Sequence, residues 1–91
     1  MDFLFEWDEV KARENARKHK VTFEEAVSVF TDPFLLTFPD EKHSETEDRF
    51  ISIGRSERER VLLVVHTDRG DAIRLISCRK ATSAERKTYE Q

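Results

Sequence analysis

The alternation of apolar and polar residues is clearest over residues 60–80. Two runs rich in β-branched residues, 61–67 and 72–79, flank the polar link Asp68-Arg69-Gly70-Asp71. Two such runs around a short polar link are typical of an antiparallel hairpin. We therefore predict an antiparallel hairpin here, and the rest of the chain is interpreted around it.

An even-numbered loop at the centre of that link fixes the register of the predicted hairpin. It pairs Thr67 with Ala72, His66 with Ile73, Leu62 with Ser77 and Arg60 with Arg79. Two arginines directly opposite each other repel unless an anion lies between them. Arg60 and Arg79 are therefore a candidate anion site.

The N-terminal half predicts one strand and two helices. Phe3, Phe5 and Trp7 occupy alternate positions, which predicts a strand with one aromatic face. Asp8 is suited to cap a helix over residues 9–19, whose last turn is basic. Residues 22–25 form a capping box, and apolar positions 23, 26, 27 and 30 then predict an amphipathic helix that ends at Asp32-Pro33.

The second half predicts mostly strands. Residues 34–38 and 49–55 have strand patterns, and the charged residues 39–48 between them predict a loop. An even-numbered loop after residue 55 would place Ile53 opposite Leu62 and Arg49 opposite His66. Residues 82–85 form a second capping box, which predicts a short helix ending near Tyr89.

These elements predict one α+β domain over residues 1–91. Its order is an N-terminal strand, two helices, four strands and a C-terminal helix, with the strands in an antiparallel sheet. Both predicted sheet faces are apolar in the middle, whereas a one-sided antiparallel sheet carries polar residues on its wet side. We therefore expect the helices to cover one face and a partner chain or a ligand to cover the other.

Polar residues mark the two ends of one predicted face. Arg55, Arg60 and Arg79 gather at one end, and Arg49 and His66 lie at the other. Six residues of strand separate the ends by roughly 20 Å, so one phosphodiester does not reach both. His66 is a candidate general base or acid, with a structural role as the alternative, and Glu47 is a second candidate base beside Arg49.

Composition and charge limit the functional classes that this protein can belong to. The net charge of −3 gives no global case for nucleic-acid binding, but it divides into −6 for residues 1–54 (7 basic, 13 acidic) and +3 for residues 55–91 (9 basic, 6 acidic). A basic patch in the C-terminal part is therefore expected. The single Cys78, in a predicted strand, is expected to be a buried, inert thiol. No apolar run has the roughly 20 residues of a membrane span, and a cytoplasmic protein is the default expectation.

Several stretches resemble BrnT-type toxins, the small ribonuclease partners of bacterial type II toxin–antitoxin pairs in the RelE-like superfamily. The matching stretches are Phe5-Glu6-Trp7-Asp8 with Lys11 and Asn15, Lys18-His19 before Val21, Phe30-Thr31-Asp32-Pro33, and Arg74 to Ala81 with Glu85 and Tyr89. One departure is Lys20, where the family usually has a glycine suited to a left-handed helix end.

The resemblance implies RNA cleavage without a metal or other cofactor. The 2′-hydroxyl attacks the adjacent phosphate, and cations stabilise the developing charge. By position, the resemblance favours Arg79, Arg60 and Arg55 as catalytic cations. Lys80 and Arg49 are candidate substrate contacts, and Tyr89 is expected either to stack on a base or to dock the last helix. A salt bridge to Glu57, Glu59 or Glu85 is the alternative role for Arg79.

The same resemblance implies partners. A ribbon-helix-helix antitoxin would neutralise the toxin, DNA would be contacted only through that antitoxin, and a dimer or heterotetramer is expected. No membrane partner is expected. The alternative is a non-catalytic module, or a degenerate toxin, that only holds its antitoxin in a repressor complex.

Overall fold

The computed structural model describes residues 4–91, which build a five-stranded sheet with helices on both faces. The strands are β1 (Leu4–Glu6), β2 (Leu36–Pro39), β3 (Arg49–Arg55), β4 (Val61–Arg69) and β5 (Ala72–Lys80), and the helices are α1 (Glu9–His19), α2 (Phe23–Ser28) and α3 (Ser83–Glu90). The α+β class is confirmed. Two short 3₁₀ helices, Val29–Thr31 and Glu41–His43, are additions to the predicted order. Phe3 lies outside the described residues.

The sheet is mixed, so the prediction of a purely antiparallel sheet is wrong. Its strand order is β1-β5-β4-β3-β2, and β1 runs parallel to β5 while the other neighbours are antiparallel. The four later strands follow one another through short connections, which favour antiparallel pairing. Alternation of aromatic residues in β1 does not show whether β1 runs parallel or antiparallel to its neighbour. Its neighbour, β5, is also distant in sequence, so no short connection determines the direction.

The central hairpin forms, but its predicted register is wrong. Asp68 and Arg69 belong to β4, so Gly70-Asp71 alone make the turn, and Gly70 has a φ of 60°. Thr67 consequently pairs with Arg74 instead of Ala72. The polar character of residues 68 and 69 suggested a loop, whereas both lie at the exposed end of a strand.

A β-bulge at Ile76 shifts the hairpin by one further residue. His66 pairs with Leu75, but Val65 pairs with Ser77, which leaves Ile76 as the extra residue. Beyond the bulge Arg79 pairs with Leu63. The predicted pair of Arg60 and Arg79 is therefore wrong, and because side chains alternate along a strand, the two arginines lie on opposite faces of the sheet.

The register between β3 and β4 also differs from the prediction by one residue. Arg55 pairs with Val61, so residues 56–60 form a five-residue connection, closed by a hydrogen bond from the Ser56 N–H to the Arg60 carbonyl (2.8 Å). The odd length pairs Ile53 with Leu63, not Leu62, and Arg49 with Thr67, not His66. A one-residue slip moves every side chain of β3 to the other face relative to β4.

The helices begin at the predicted caps, but the predicted end of the second helix at Asp32-Pro33 is wrong, because α2 ends at Ser28 and a 3₁₀ helix, Val29–Thr31, follows it. Asp8 Oδ1 accepts hydrogen bonds from the N–H groups of Val10 and Lys11 (2.8 and 3.2 Å) and so caps α1. Lys20 adopts the left-handed conformation (φ 61°) that glycine usually takes at a helix end, and α1 ends at His19. The box at Thr22 is only half formed, because the carboxylate of Glu25 turns away toward another partner. Within residues 4–91, no helix is long and apolar enough to cross a membrane.

Both sheet faces are apolar in the middle, as predicted, but the expectation that the helices cover one face alone is wrong, because α3 packs on the second face. On the first face, α1 and α2 enclose the main core, formed by Val21, Phe23, Ala26, Val29, Leu62, Val64, Leu75 and Cys78. On the second face, α3 packs Tyr89 against a smaller cluster of Ile53, Val61 and Leu63. Cys78 is buried, which raises the pKa of its thiol to about 12 and accords with an inert role.

Candidate functional site

A cleft of about 310 Å³ lies where β3, β4 and β5 end beside α3. It is lined by Arg55, Glu59, Arg60, Val61, Lys80, Ala81, Arg86 and Glu90. The five-residue connection between β3 and β4 forms one wall, and the end of β5 leads directly into α3, which forms the other. Two segments distant in sequence, residues 55–61 and 80–90, therefore place four cations around one opening.

Three of these four cations are exposed and unpaired. Arg55, Lys80 and Arg86 form no ion pair with another residue in the described part of the chain. Glu59 and Glu90 are the carboxylates of the cleft wall. An opening with excess positive charge attracts anions, and phosphate oxygens are well matched to guanidinium and ammonium donors.

The fourth cation, Arg60, is held by the buried carboxylate of Glu25. Its Nε donates to Glu25 Oε2 (2.9 Å), and its Nη2 forms a short ion pair with Oε1. Ser56 Oγ donates to the same carboxylate (2.7 Å), and Glu25 is only 3% exposed. The hydrogen bond from Arg60 holds the pKa of Glu25 below its ordinary value, so the carboxylate is charged and fixes the guanidinium at the cleft.

Arg79 does not line the cleft and instead ties β5 to α3. Its Nη1 and Nη2 donate to Glu85 Oε1 and Oε2 (2.8 and 2.9 Å), a bidentate pair that lowers the pKa of Glu85 to about 2. Glu85 also accepts from the Thr82 N–H (2.8 Å) as part of a complete capping box. The salt bridge to Glu85, the alternative role considered for Arg79, is thus present. Its role as a phosphate clamp stays a prediction.

Tyr89 docks the end of α3 on the rest of the domain. Its hydroxyl donates to Asp32 Oδ2 (2.5 Å), and the centre of the Arg55 guanidinium lies 6.0 Å from its ring centroid. Asp32 also accepts from the Arg55 N–H (2.7 Å). Burial opposes ionisation of Asp32, yet these donors keep its pKa below the ordinary value, and burial together with Asp32 raises the pKa of Tyr89. Docking of the last helix, one of the two predicted roles of Tyr89, is therefore observed.

The structure keeps the other two predicted site residues away from the cleft. Arg49 and His66 lie toward the opposite end of their strands, and Arg49 Nε is 3.5 Å from Glu47 Oε1. His66 is 5% exposed on the first face, where its Nε2 is 2.7 Å from Ser52 Oγ and its ring packs against Phe30. Burial lowers the pKa of His66, so it is neutral at pH 7. Its catalytic role stays a prediction that this burial does not favour.

Sequence reasoning missed four residues of this region. Arg86, Glu59 and Glu90 line the cleft, and Glu25 holds Arg60 from behind. A signal for Glu25 was present, because positions 22, 25, 26 and 29 share one face of the helix and a carboxylate at a core-facing position needs a cation. Among residues 4–91, no group of three or more His, Cys, Asp or Glu side chains is arranged to hold a metal ion.

Comparison with known proteins identifies the family. A family model described as the ribonuclease toxin BrnT of a type II toxin–antitoxin system matches residues 7–85. The chain belongs to the BrnT family. The 1.1 Å crystal structure of the Brucella abortus ribonuclease toxin BrnT superposes with a TM-score of 0.65 at 25% identity, covering 90% of this chain and 100% of the other. A comparison with curated protein sequences gave no match.

Membership of the BrnT family confirms the resemblance drawn from the motifs. The matched range includes β2 to β5, the first turn of α3 and the Asp32 that anchors Tyr89. A type II system pairs a toxin with an antitoxin, so an antitoxin partner follows from the family. The family description makes these toxins ribonucleases, which directs attention to the cationic cleft.

Proposed function

We propose that this protein is a cytoplasmic endoribonuclease toxin that cleaves RNA at the Arg55–Lys80–Arg86 cleft without a metal ion. The observation that carries the proposal is the cluster of exposed, unpaired cations in one opening, in a chain of the ribonuclease toxin family. Cleavage of cellular RNA arrests translation and growth. A ribbon-helix-helix antitoxin neutralises the toxin and brings the complex to DNA.

The reaction needs a base, stabilisation of charge and a leaving group. The 2′-oxygen attacks the adjacent phosphorus while the bond from phosphorus to the 5′-oxygen breaks, which leaves a 2′,3′-cyclic phosphate and a 5′-hydroxyl end. Negative charge grows on the non-bridging oxygens as the 2′-oxygen adds. Arg55, Lys80 and Arg86 donate to those oxygens and supply the electrostatic stabilisation that a divalent cation supplies in other nucleases.

We assign the base to Glu59. It lines the cleft on the connection between β3 and β4, and its φ of 63° is a backbone conformation that non-glycine residues rarely adopt. Its N–H donates to the Ser56 carbonyl (2.9 Å), which fixes the turn that carries it. Glu59 takes the proton of the 2′-hydroxyl, and the departing 5′-oxygen takes a proton from water.

The remaining predicted residues support the cleft in this proposal. Arg60, neutralised by Glu25, forms its rigid floor. Arg79 and Tyr89 hold α3, and with it Arg86, through Glu85 and Asp32. Loss of either anchor lowers cleavage by loosening α3 and not by removing a phosphate contact.

Cleavage of labelled RNA in the presence of EDTA tests the proposal. Arg86→Gln should reduce the rate about 100-fold, the order expected for losing one stabilising donor, and Lys87→Gln on the adjacent helix position is the matched control. The wild-type protein should yield 2′,3′-cyclic phosphate ends. Equal rates for Arg86→Gln and Lys87→Gln would reject the cleft, and rescue only by a divalent cation would reject metal independence.

Glu59→Gln tests the assigned base, with its exposed neighbour Glu57→Gln as the control. Removal of a general base costs about 10²- to 10⁴-fold in rate. A cleavage rate in this variant equal to that of Glu57→Gln would exclude Glu59 as the base. Absence of RNA cleavage by the wild type, with antitoxin binding intact, would favour the non-catalytic module.

A further inference from the structure

The second face of the sheet has an apolar row that α3 leaves uncovered. The pairings align Phe38 with Ile51, Ile51 with Val65, and Val65 with Ser77, across β2, β3, β4 and β5. Phe38 is 42% exposed, and Ile51, Val65 and Ser77 are each half-buried. Three of these four side chains are apolar, and we name this set the Phe38 row.

Arginines dominate the charge around this row. By alternation, the strand positions on the second face include five arginines and one carboxylate: Arg49, Arg55, Arg69, Arg74, Arg79 and Glu6. Glu47 and Glu85, which lie outside the strands, pair with Arg49 and Arg79, so these five arginines meet three carboxylates and keep a positive excess. Two of the arginines are loosely paired, since Arg49 to Glu47 and Arg74 to Glu6 are both 3.5 Å contacts. Charge-assisted hydrogen bonds are usually 2.7–2.9 Å, so these arginines retain capacity for a better partner.

The charge pattern selects among the occupants of the row. A second copy related by a two-fold axis would bring this arginine-rich face against itself, which like charges disfavour. An RNA strand would gain from the arginines, but Phe38 is the single aromatic residue of the row, and the aliphatic Ile51 and Val65 offer no ring on which a second base could stack. An amphipathic protein segment with apolar residues and flanking carboxylates matches both the row and its border.

We propose that the Phe38 row is the docking site for an acidic amphipathic helix of the antitoxin, which lies beside α3 on the second face. The row spans three interstrand spacings, about 14 Å, which about ten residues of helix cover at 1.5 Å per residue. The helix extends the layer that α3 begins, and its carboxylates bind Arg49 and Arg74. This inference rests on the antitoxin partner of the BrnT family and not on the chemistry of the cleft.

Affinity for the antitoxin encoded beside the toxin gene tests the docking site. The variant Phe38→Ser/Ile51→Thr changes the row while retaining a β-branched residue at position 51. Its Kd for the full-length antitoxin should rise about 30-fold or more, since loss of a central apolar anchor is worth about 2 kcal/mol. Thermal unfolding of the free variant shows whether it is still folded. The single substitution Phe38→Ser, on an edge strand, should still weaken antitoxin binding about 10-fold.

The matched control is Val10→Thr/Phe34→Ser, which removes two exposed apolar residues elsewhere (55% and 73% exposed). Val10 lies on α1, which packs on the first face, and Phe34 packs on neither core cluster. The control should bind the antitoxin with wild-type affinity. Equal Kd values for the row variant and the control would overturn the proposal.

Two other outcomes would assign the row to a different occupant and so also overturn the proposal. If the row variant changes only the oligomeric state of the free toxin, measured as its molar mass in solution, a second copy of the toxin occupies the row. If the row variant weakens RNA binding and leaves antitoxin binding intact, RNA occupies the row. Cleft variants such as Arg86→Gln should keep antitoxin affinity, so failure of the cleft and failure of the docking site are separate results.

Discussion

Replacement of the buried Glu25 by alanine perturbs the contact on which the geometry of the cleft floor depends. The carboxylate accepts hydrogen bonds from both Arg60 and Ser56 and is 3% exposed. Its removal leaves the Arg60 guanidinium without its counter-charge and the Ser56 hydroxyl without its acceptor. The unfolded chain solvates both groups, so the loss falls on the folded state.

The magnitude follows from burial on the two sides of the pair. Breaking a buried ion pair by removing one partner costs about 3–5 kcal/mol. The Arg60 side chain is 26% exposed, so water recovers part of that loss. We expect Glu25→Ala to lower the free energy of unfolding by about 2–4 kcal/mol, and its neighbour Glu24→Ala, which is exposed, to change it by less than about 0.5 kcal/mol.

Urea denaturation followed by circular dichroism measures both variants, and a double-mutant cycle with Arg60→Ala isolates the pair. The coupling energy should be about 2 kcal/mol, within the range for residues in direct contact. The pKa of Glu25 is lowered from 4.5, so its stabilisation is present above pH 4.5 and is lost as the pH falls through the folded-state pKa. A coupling energy near zero, or a loss for Glu25→Ala no larger than for Glu24→Ala, would refute this reasoning.

Three further predictions concern the folded core. Burial lowers the pKa of His66 from 6.5, so the wild type should lose stability as the pH falls below 6.5. His66→Gln should remove that loss, and parallel curves of unfolding free energy against pH for the wild type and the variant would contradict the prediction. Asn15→Ala should cost about 3 kcal/mol in urea denaturation, because the Asn15 amide bridges buried Cys78 and Val21 backbone groups at 2.9–3.0 Å; a cost below about 1 kcal/mol would argue against it. Gly54→Ala places a Cβ 2.8 Å from Leu35 Cδ1 and should destabilise the fold by about 1–3 kcal/mol, seen as a lower melting temperature. Adding Leu35→Ala should partly relieve that loss, and simple additivity of the two substitutions would count against the clash.

Local signals in the sequence predicted the elements well. Side-chain caps at Asp8, Thr22 and Thr82 mark the starts of all three helices, and alternation gives the bounds of β3 at Arg49–Arg55. These signals depend on neighbouring residues alone. Element type was therefore accessible without knowledge of the tertiary fold.

Strand register was not accessible in the same way. It depends on the number of residues in each connection and on the bulge at Ile76, and neither follows from apolar alternation. The parallel pairing of β1 with β5 joins positions 68 residues apart, such as Leu4 and Ala72, which alternation within β1 does not predict. Each error of one residue exchanges the sheet faces, which is why the predicted Arg60–Arg79 pair does not form.

The sequence predicted at which end of the sheet the candidate site lies, but not which of its residues are free. Arg55, Arg60 and Lys80 do meet at the end of their strands, because strand ends converge whichever register applies. Which arginine is free and which is paired depends on contacts that are remote in sequence. Glu25 lies 35 positions from Arg60, and nothing local to either residue predicts their contact.

The most direct measurement of the central claim is the salt dependence of binding to an RNA oligonucleotide whose 2′-deoxy linkage prevents cleavage. If Arg86 contacts a phosphate, Arg86→Gln should reduce the slope of log K against log salt by about 0.7, the contribution of one phosphate contact on a single strand. Lys87→Gln should leave the slope of the wild type unchanged. Equal slopes for all three proteins would contradict RNA binding at the cleft.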